Sequence, residues 1–483
     1  MKRKIYSLVS NSPEVTAYGM ARYSRSKLSM SDSLHMLSEA RTVNFLNSFY
    51  FEYGHSSIAD LAHVSIAIEN ISLLAALNVV DEPLWDGQER STRFQDFQGP
   101  DYYMPKDPPE EFEKHIDQMF ENYHVLHKKA FSNLKELYPK PVEIDEQKYD
   151  RILRARAFDV ARYWLPLCTN TSLGQITSAR TLERQLSRLI SSHLPELRQI
   201  GSEMKDAVVS NRPVYISSIE DRSSSDAKQL GPQLPTLIKY AQQNPYTILV
   251  QGELQKIAQD ILNSIRPEVN LGVELFVNND LLDHACATLL YSASNLSYRQ
   301  IIDIVKELPM SRKEQIVEFA FKHRGDHDLW VRELQSQPLT FDITMDIGGF
   351  RDFNRHRKVS KILQSLDPDF GYSVPAPLDK FGLEKEYKSQ MESHFSAVRS
   401  IRQAWDSAEL SYLLPLSTNC RSLHQMDLAQ AAYVIELRTK SAGHFSYREV
   451  AYQMYLEIER KFPWAARNMR VTNPSTHYDP FER

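Results

Sequence analysis

The run Phe341-Asp342-Ile343-Thr344-Met345-Asp346-Ile347-Gly348-Gly349-Phe350-Arg351-Asp352-Phe353-Asn354-Arg355-His356-Arg357-Lys358-Val359-Ser360 decides the reading of this chain. Phe341, Ile343, Met345 and Ile347 alternate with Asp342, Thr344 and Asp346, a period of two that predicts a strand with one buried face. Gly348 and Gly349 read as the break that ends it. The cluster that follows sets guanidinium, imidazole and guanidinium side by side at Arg355, His356 and Arg357. A core excludes such charge density, and an anionic ligand uses it.

Around that run, 483 residues exceed one ordinary core, so two or more domains are expected. The 42% apolar and 25% charged content is that of a globular protein. A net charge of −5 exerts no pull toward nucleic acid or an anionic membrane surface, so a site for an anion must be a local basic pocket. Cys168, Cys286 and Cys420 form neither a disulfide framework nor a closed metal site. The longest apolar run, near residues 71–80, is too short to span a bilayer, and the basic start lacks the apolar core of a leader. A cytoplasmic protein with no nucleic-acid or membrane partner and no metal is the expectation.

The chain repeats itself. Tyr23-Ser24-Arg25-Ser26-Lys27-Leu28-Ser29 returns as Tyr291-Ser292-Ala293-Ser294-Asn295-Leu296-Ser297, and Leu165-Pro166-Leu167-Cys168-Thr169-Asn170 returns as Leu414-Pro415-Leu416-Ser417-Thr418-Asn419. An alternating strand stands between the paired motifs in each half, at residues 63–71 and 338–347. The simplest organisation is two diverged copies, residues 1–230 and 246–483, joined by a linker near 223–245 that is rich in Ser, Gln and Pro. Helices are expected at 110–137, 145–164 and 182–209 in the first copy. In the second they fall at 297–323, 383–413, 427–439 and 447–462.

Residues 81–97 form the second informative stretch. Gln88, Glu89, Arg90, Ser91 and Arg93 place donors and an acceptor close together, as a phosphate and a polar ring edge require. A solvated loop anchored on Phe94 and Phe97 is the competing reading.

Taken together these residues resemble the flavin-dependent thymidylate synthases, which carry Arg-His-Arg-x-x-Ser-x-Asn-Glu-x-Ser-x-Arg-Tyr after a strand. Arg355-His356-Arg357-Lys358-Val359-Ser360 matches the first part, whereas Ile362, Leu363, Ser365 and Asp367 fall where the family has other residues or its second serine. In the first copy Asp81-Glu82-Pro83 occupies the Arg-His-Arg place, and Gln88-Glu89-Arg90-Ser91-Thr92-Arg93-Phe94 keeps the remainder. Each copy retains the half that the other lost. His55, in Tyr53-Gly54-His55, resembles the family's histidine turn, and Arg421 closes a Leu-Pro-Leu segment like the family's. The segment from Leu437 to Glu449 resembles Leu-Arg-x-x-x-x-Ala-Gln-x-Glu-Ile-Arg, with His444 and Ser446 at the Gln and Glu places. In the first copy the equivalent stretch runs from Arg188-Leu189 through Pro195-Glu196-Leu197-Arg198, with a gap in the alignment.

The resemblance implies an α+β fold of two tandem thymidylate-synthase-complementing-protein-like units, each a mainly antiparallel sheet with flanking helices. It implies FAD held by Arg355, His356, Arg357, Arg438 and His55, and dUMP held by Gln88, Glu89, Arg90, Ser91, Arg93 and Arg421. Arg448 would be the catalytic arginine that polarises the uracil ring. The reaction implied is methylation of dUMP to dTMP with methylenetetrahydrofolate as carbon donor and NADPH as electron source, in a homodimer that forms a pseudo-tetramer. Two alternatives stay open: a homologue that binds nucleotide and flavin without turnover, and a flavin- and folate-dependent methyltransferase acting on another acceptor.

Overall fold

The structure is a computed structural model and describes residues 13–15, 17, 20, 58–97, 101–210, 233–262, 271–277, 280–325, 328–335, 338–405, 407–475 and 480–481. His55 and the motif at 23–29 lie outside the described residues, as does 223–232 of the expected linker. The first half contains β1 (His63–Ser72), α1 (Leu73–Val79), β2 (Asp86–Glu89), α2 (Glu111–Leu137), α3 (Glu146–Ala161), β3 (Asn170–Ser178), α4 (Ala179–Ile190) and α5 (Pro195–Val209). After α6 (Pro245–Leu262) come β4 (Gly272–Phe276), α7 (Leu281–Ser292), α8 (Tyr298–Glu307) and α9 (Met310–Phe321). The second half then runs through β5 (Pro338–Asp346), α10 (Ile347–Asn354), β6 (Ser360–Leu363), α11 (Pro377–Lys380) and α12 (Glu384–Ala404). It closes with β7 (Asn419–Asp427), α13 (Leu428–Arg438), α14 (Phe445–Lys461) and α15 (Pro463–Ala466). No described helix is long and apolar enough to cross a membrane.

Two antiparallel sheets result, ordered β1-β3-β2 and β4-β5-β7-β6, so β5-β7-β6 repeats the first sheet and β4 adds an edge strand. The fold is α+β, as expected. The registers coincide as well: Ser72 pairs with Asn170 and Asp346 with Asn419, each partner of β1 or β5 being the strand's last residue and the N-cap of the helix that follows. In β1, Val64, Ile66 and Ile68 point inward until a bulge at 68–71, where Asn70 adopts φ 57°, a left-handed conformation that Asn tolerates. In β5, Phe341, Ile343 and Met345 are buried.

The chain does not break at Gly348-Gly349. Asp346 accepts from the Gly349 N–H at 2.7 Å and starts α10, so the two glycines sit in its first turn and the basic cluster falls just past its end. Three other expectations are corrected. The 297–323 helix is two, separated before Met310 by Pro309, and 182–209 is interrupted before Pro195, since proline lacks the N–H a continuing helix needs. The 81–97 stretch contains β2, whose Gln88 pairs with Gly174.

The chain packs as two compact units, one of residues 1–90 and 170–266, the other of 91–169 and 267–483. In the first unit buried Glu82 takes Arg184 and Arg188, and Trp85 donates from Nε1 to Gln175, which is bonded to Gln185. The second unit contains α2 and α3, whose buried faces include Phe112, Ile116, Met119, Leu153 and Phe158. There the two Leu-Pro-Leu motifs pair with each other: the Leu167 N–H donates to the Leu414 carbonyl at 2.9 Å and the Leu416 N–H to the Leu165 carbonyl at 3.0 Å. That reciprocity is a local two-fold between the repeated motifs. Trp164, Tyr163, Tyr387 and Tyr412 are packed around it, all buried.

Candidate functional site

The site is built in the second unit where several helix ends converge. Arg93 is clamped by Asp159 near the end of α3: Nε donates to Oδ1 at 2.6 Å and Nη2 to Oδ2 at 3.1 Å, a fork-to-fork pair. Nη2 also reaches the Ala442 carbonyl and Nη1 the Tyr447 hydroxyl, each at 3.3 Å. Over the Tyr447 ring lie the guanidiniums of Arg93, at 5.9 Å, and Arg438, at 5.2 Å. Arg438 ends α13 and donates from Nε to His356 Nε2 at 2.9 Å and from Nη2 to the Asp352 carbonyl at 2.6 Å. The Asp352 carboxylate pairs with Arg355, the C-cap of α10. Both helices thus deliver a cation where their backbone dipoles are negative. Behind them the Thr92 hydroxyl stands between Arg162, at 3.5 Å, and Arg351, at 3.4 Å.

Burial alone would raise the Asp159 carboxyl, but Arg93, helped by Arg162, holds it well below the usual carboxylate range. Asp352 is likewise opposed by burial and pulled down to about 2 by Arg355 and Arg438. Burial also works against the Arg93 charge, and Asp159 more than restores it. His356 is pushed down to about 3 by burial and then by Arg438. It is therefore neutral, and because Nε2 accepts from Arg438 its hydrogen belongs on Nδ1. His444, also held neutral by burial, faces the Asp159 carbonyl from Nε2 at 2.9 Å and accepts the Ser446 N–H at Nδ1. Arg93, Arg162, Arg355 and Arg438 thus face Asp159 and Asp352 as ionised acids, while burial raises the Asp346 carboxyl. The excess is positive, in surroundings of low dielectric that strengthen its hold on an anion.

The structure joins Arg93, Arg438, His356 and Arg355 through Tyr447 and Asp352. Arg355 and Arg357 are exposed and His356 is buried. Arg448 is buried, donates from Nε to the Thr439 carbonyl at 3.1 Å, and lines a narrow cleft with Arg156, Asp159 and Phe445. Asp159 therefore borders both the cleft and the arginine cluster. Arg421 stands apart. It bonds Thr344 Oγ1 at 3.1 Å, and strand alternation puts it on the face opposite His424, whose ring meets Phe350 and Phe353 of α10. Gln88, Glu89 and Arg90 belong to the first unit, and Ser91 Oγ accepts the Arg93 N–H at 3.2 Å. Sequence reasoning missed Asp159, Asp352, Tyr447, Thr92 and Arg162 as parts of the site. Tyr447 lay inside the quoted segment around Arg448, while nothing local marks Asp159 as the partner of Arg93. Among the described residues no cluster of His, Cys, Asp and Glu is suited to a metal.

A family model described as thymidylate synthase complementing protein matches residues 7–214 and again 280–464. A UPF0159 protein of Chlamydia muridarum is 27% identical over 436 residues, covering 88% of this chain and 80% of that protein. A UPF0159 protein of Thermoplasma acidophilum is 24% identical, covering 92% of each. Among solved structures, the UMP/dUMP methylase PolB from Streptomyces cacaoi, bound with 5-Br dUMP, aligns at 14% identity over 42% of this chain and 96% of its own, with a TM-score of 0.32.

Proposed function

The chain belongs to the thymidylate synthase complementing protein family, carried as two tandem copies, and from that premise we propose that it methylates dUMP to dTMP. The carbon donor is methylenetetrahydrofolate, with NADPH as electron source and FAD as cofactor. The observation that carries the reading is the unbroken line of contacts from Arg93 through Tyr447 and Arg438 to His356. It joins the segment that resembles the family's nucleotide loop to the one that resembles its flavin segment.

The residues present suit an anionic flavin nucleotide, since the buried charge is in positive excess and Arg355 and Arg357 add exposed cations at its edge. When bound, the flavin supplies the hydride that reduces the transferred carbon. His356 and Arg438 orient it, with His55 as a further candidate contact. Gln88, Glu89, Arg90, Ser91, Arg93 and Arg421 are the proposed nucleotide residues. Arg448 favours the deprotonated uracil ring and thereby makes it nucleophilic without a thiol. Asp159, which borders the cleft of Arg448, fixes the guanidinium of Arg93. The working assembly under this reading is a homodimer of four family units.

The test is tritium release from dUMP labelled on its ring, with flavin measured on denaturation of the purified protein. Release that needs methylenetetrahydrofolate supports the reading; flavin-free protein without release ends it. Tight dUMP binding with no tritium release would single out a homologue that binds without turnover.

A further inference from the structure

The N-caps of α1 and α10 are equivalent positions, and each makes a second contact that the reading above does not use. In the first copy Ser72 donates from Oγ to Glu196 Oε2 at 2.6 Å and from its N–H to Oε1 at 2.9 Å, with Glu196 in the first turn of α5. In the second copy the two groups have changed places. Ser446, in the first turn of α14, donates to the Asp346 carboxylate that caps α10. Aspartate with serine spans one methylene less than serine with glutamate, so the second pair must bring its helices closer. Gly349 stands where the first copy has Ala75, and a Cβ there would lie 2.8 Å from Ser446 Oγ and 2.6 Å from Met345 Cε. The glycine permits the approach that the shorter pair demands.

We propose that Asp346 and Ser446 are positioning residues: their bond fixes the first turn of α14 against that of α10, and so sets Tyr447 over Arg93 and Arg438 and Arg448 in its cleft. The order of carboxylate and hydroxyl is interchangeable, because the first copy performs the same junction with Ser72 and Glu196. The inference rests on the methylation reading for its turnover measurement only.

The test is the length-conserving exchange cycle Asp346→Ser, Ser446→Asp and the double variant, read by dUMP affinity, turnover and near-ultraviolet circular dichroism, with Tyr447→Phe identifying the Tyr447 signal. Ser446→Asp sets two carboxylates together, and Asp346→Ser leaves two hydroxyls across a gap. Each single variant is expected to lose about tenfold in affinity and to alter the Tyr447 signal, and the double variant to recover both to within about threefold. A double variant no better than the worse single overturns the proposal, as do singles whose unfolding midpoint falls while affinity and the Tyr447 signal stay as in wild type. If wild type binds dUMP without turnover, the methylation reading fails while the affinity cycle still decides. If it does not bind dUMP, the dichroism cycle decides alone.

Discussion

Asp159 holds the charge of Arg93 in place, and Asp159→Ala leaves a mostly buried guanidinium without its carboxylate. The expected cost is about 3–5 kcal/mol in urea denaturation, and a loss below about 1 kcal/mol would show that the pair is not what secures this corner. Neutral buried histidines add a pH dependence. Burial lowers His356 and His424 to about 3 and His394 to about 4 from an ordinary 6.5. Between those values the unfolded chain binds more protons, so this stability is whole above pH ~6.5 and drains as pH falls, by up to about 1.4 kcal/mol per pH unit for each histidine. Asp159 and Asp352, both depressed, extend the loss below pH ~4. The urea midpoint is expected to fall from about pH 7.5 to about pH 5, and His424→Gln to flatten that fall; an unchanged slope would contradict neutral burial of His424. Arg355 and Arg357 were legible in the sequence as cations with no core use, whereas His356 between them is buried and neutral. The counter-charges of the site were not legible: Asp159 lies 66 residues from Arg93, and no periodicity links the two.

Alternation announced β1 and β5, and apolar helical spacing announced α2, α12 and α14. The start of α10 was hidden because Gly348-Gly349 is a poor helix opening by propensity, and the Asp346 cap, with the Ile347 and Gly348 N–H groups donating to the Thr418 and Leu416 carbonyls, makes it one. Gly349→Ala, favourable by propensity alone, is expected to destabilise by about 1–3 kcal/mol through overpacking, and a stabilised variant would show that α14 yields easily. The short strands β2 and β6 carry no legible period and exist because β3 and β7 offer them an edge. The Leu-Pro-Leu motifs were visible as a repeat, though not as partners of each other. Leu165 and Leu414, almost fully buried, flank their pairing, and Leu414→Ala should cost about 2–5 kcal/mol in the same urea assay. A cost near zero would mean that the backbone bonds alone hold the junction.

Duplication explains the architecture as a whole. The two halves repeat strand order, register and capping, yet the compact units cut across them, since residues 91–169 of the first half fold into the unit of 267–483. Arg93 from one copy and His356 from the other are linked through Tyr447 and Arg438 in one unit of one chain, a pairing the sequence left undecided between one chain and two. The decisive measurement is turnover of dUMP by wild type, by Arg93→Ala, by His356→Ala, and by the two variants refolded together. The expected result is an active wild type, two impaired variants and a mixture no better than their average, because each chain carries its own defect into its own site. Recovery of the mixture well above that average would contradict a site closed within one chain.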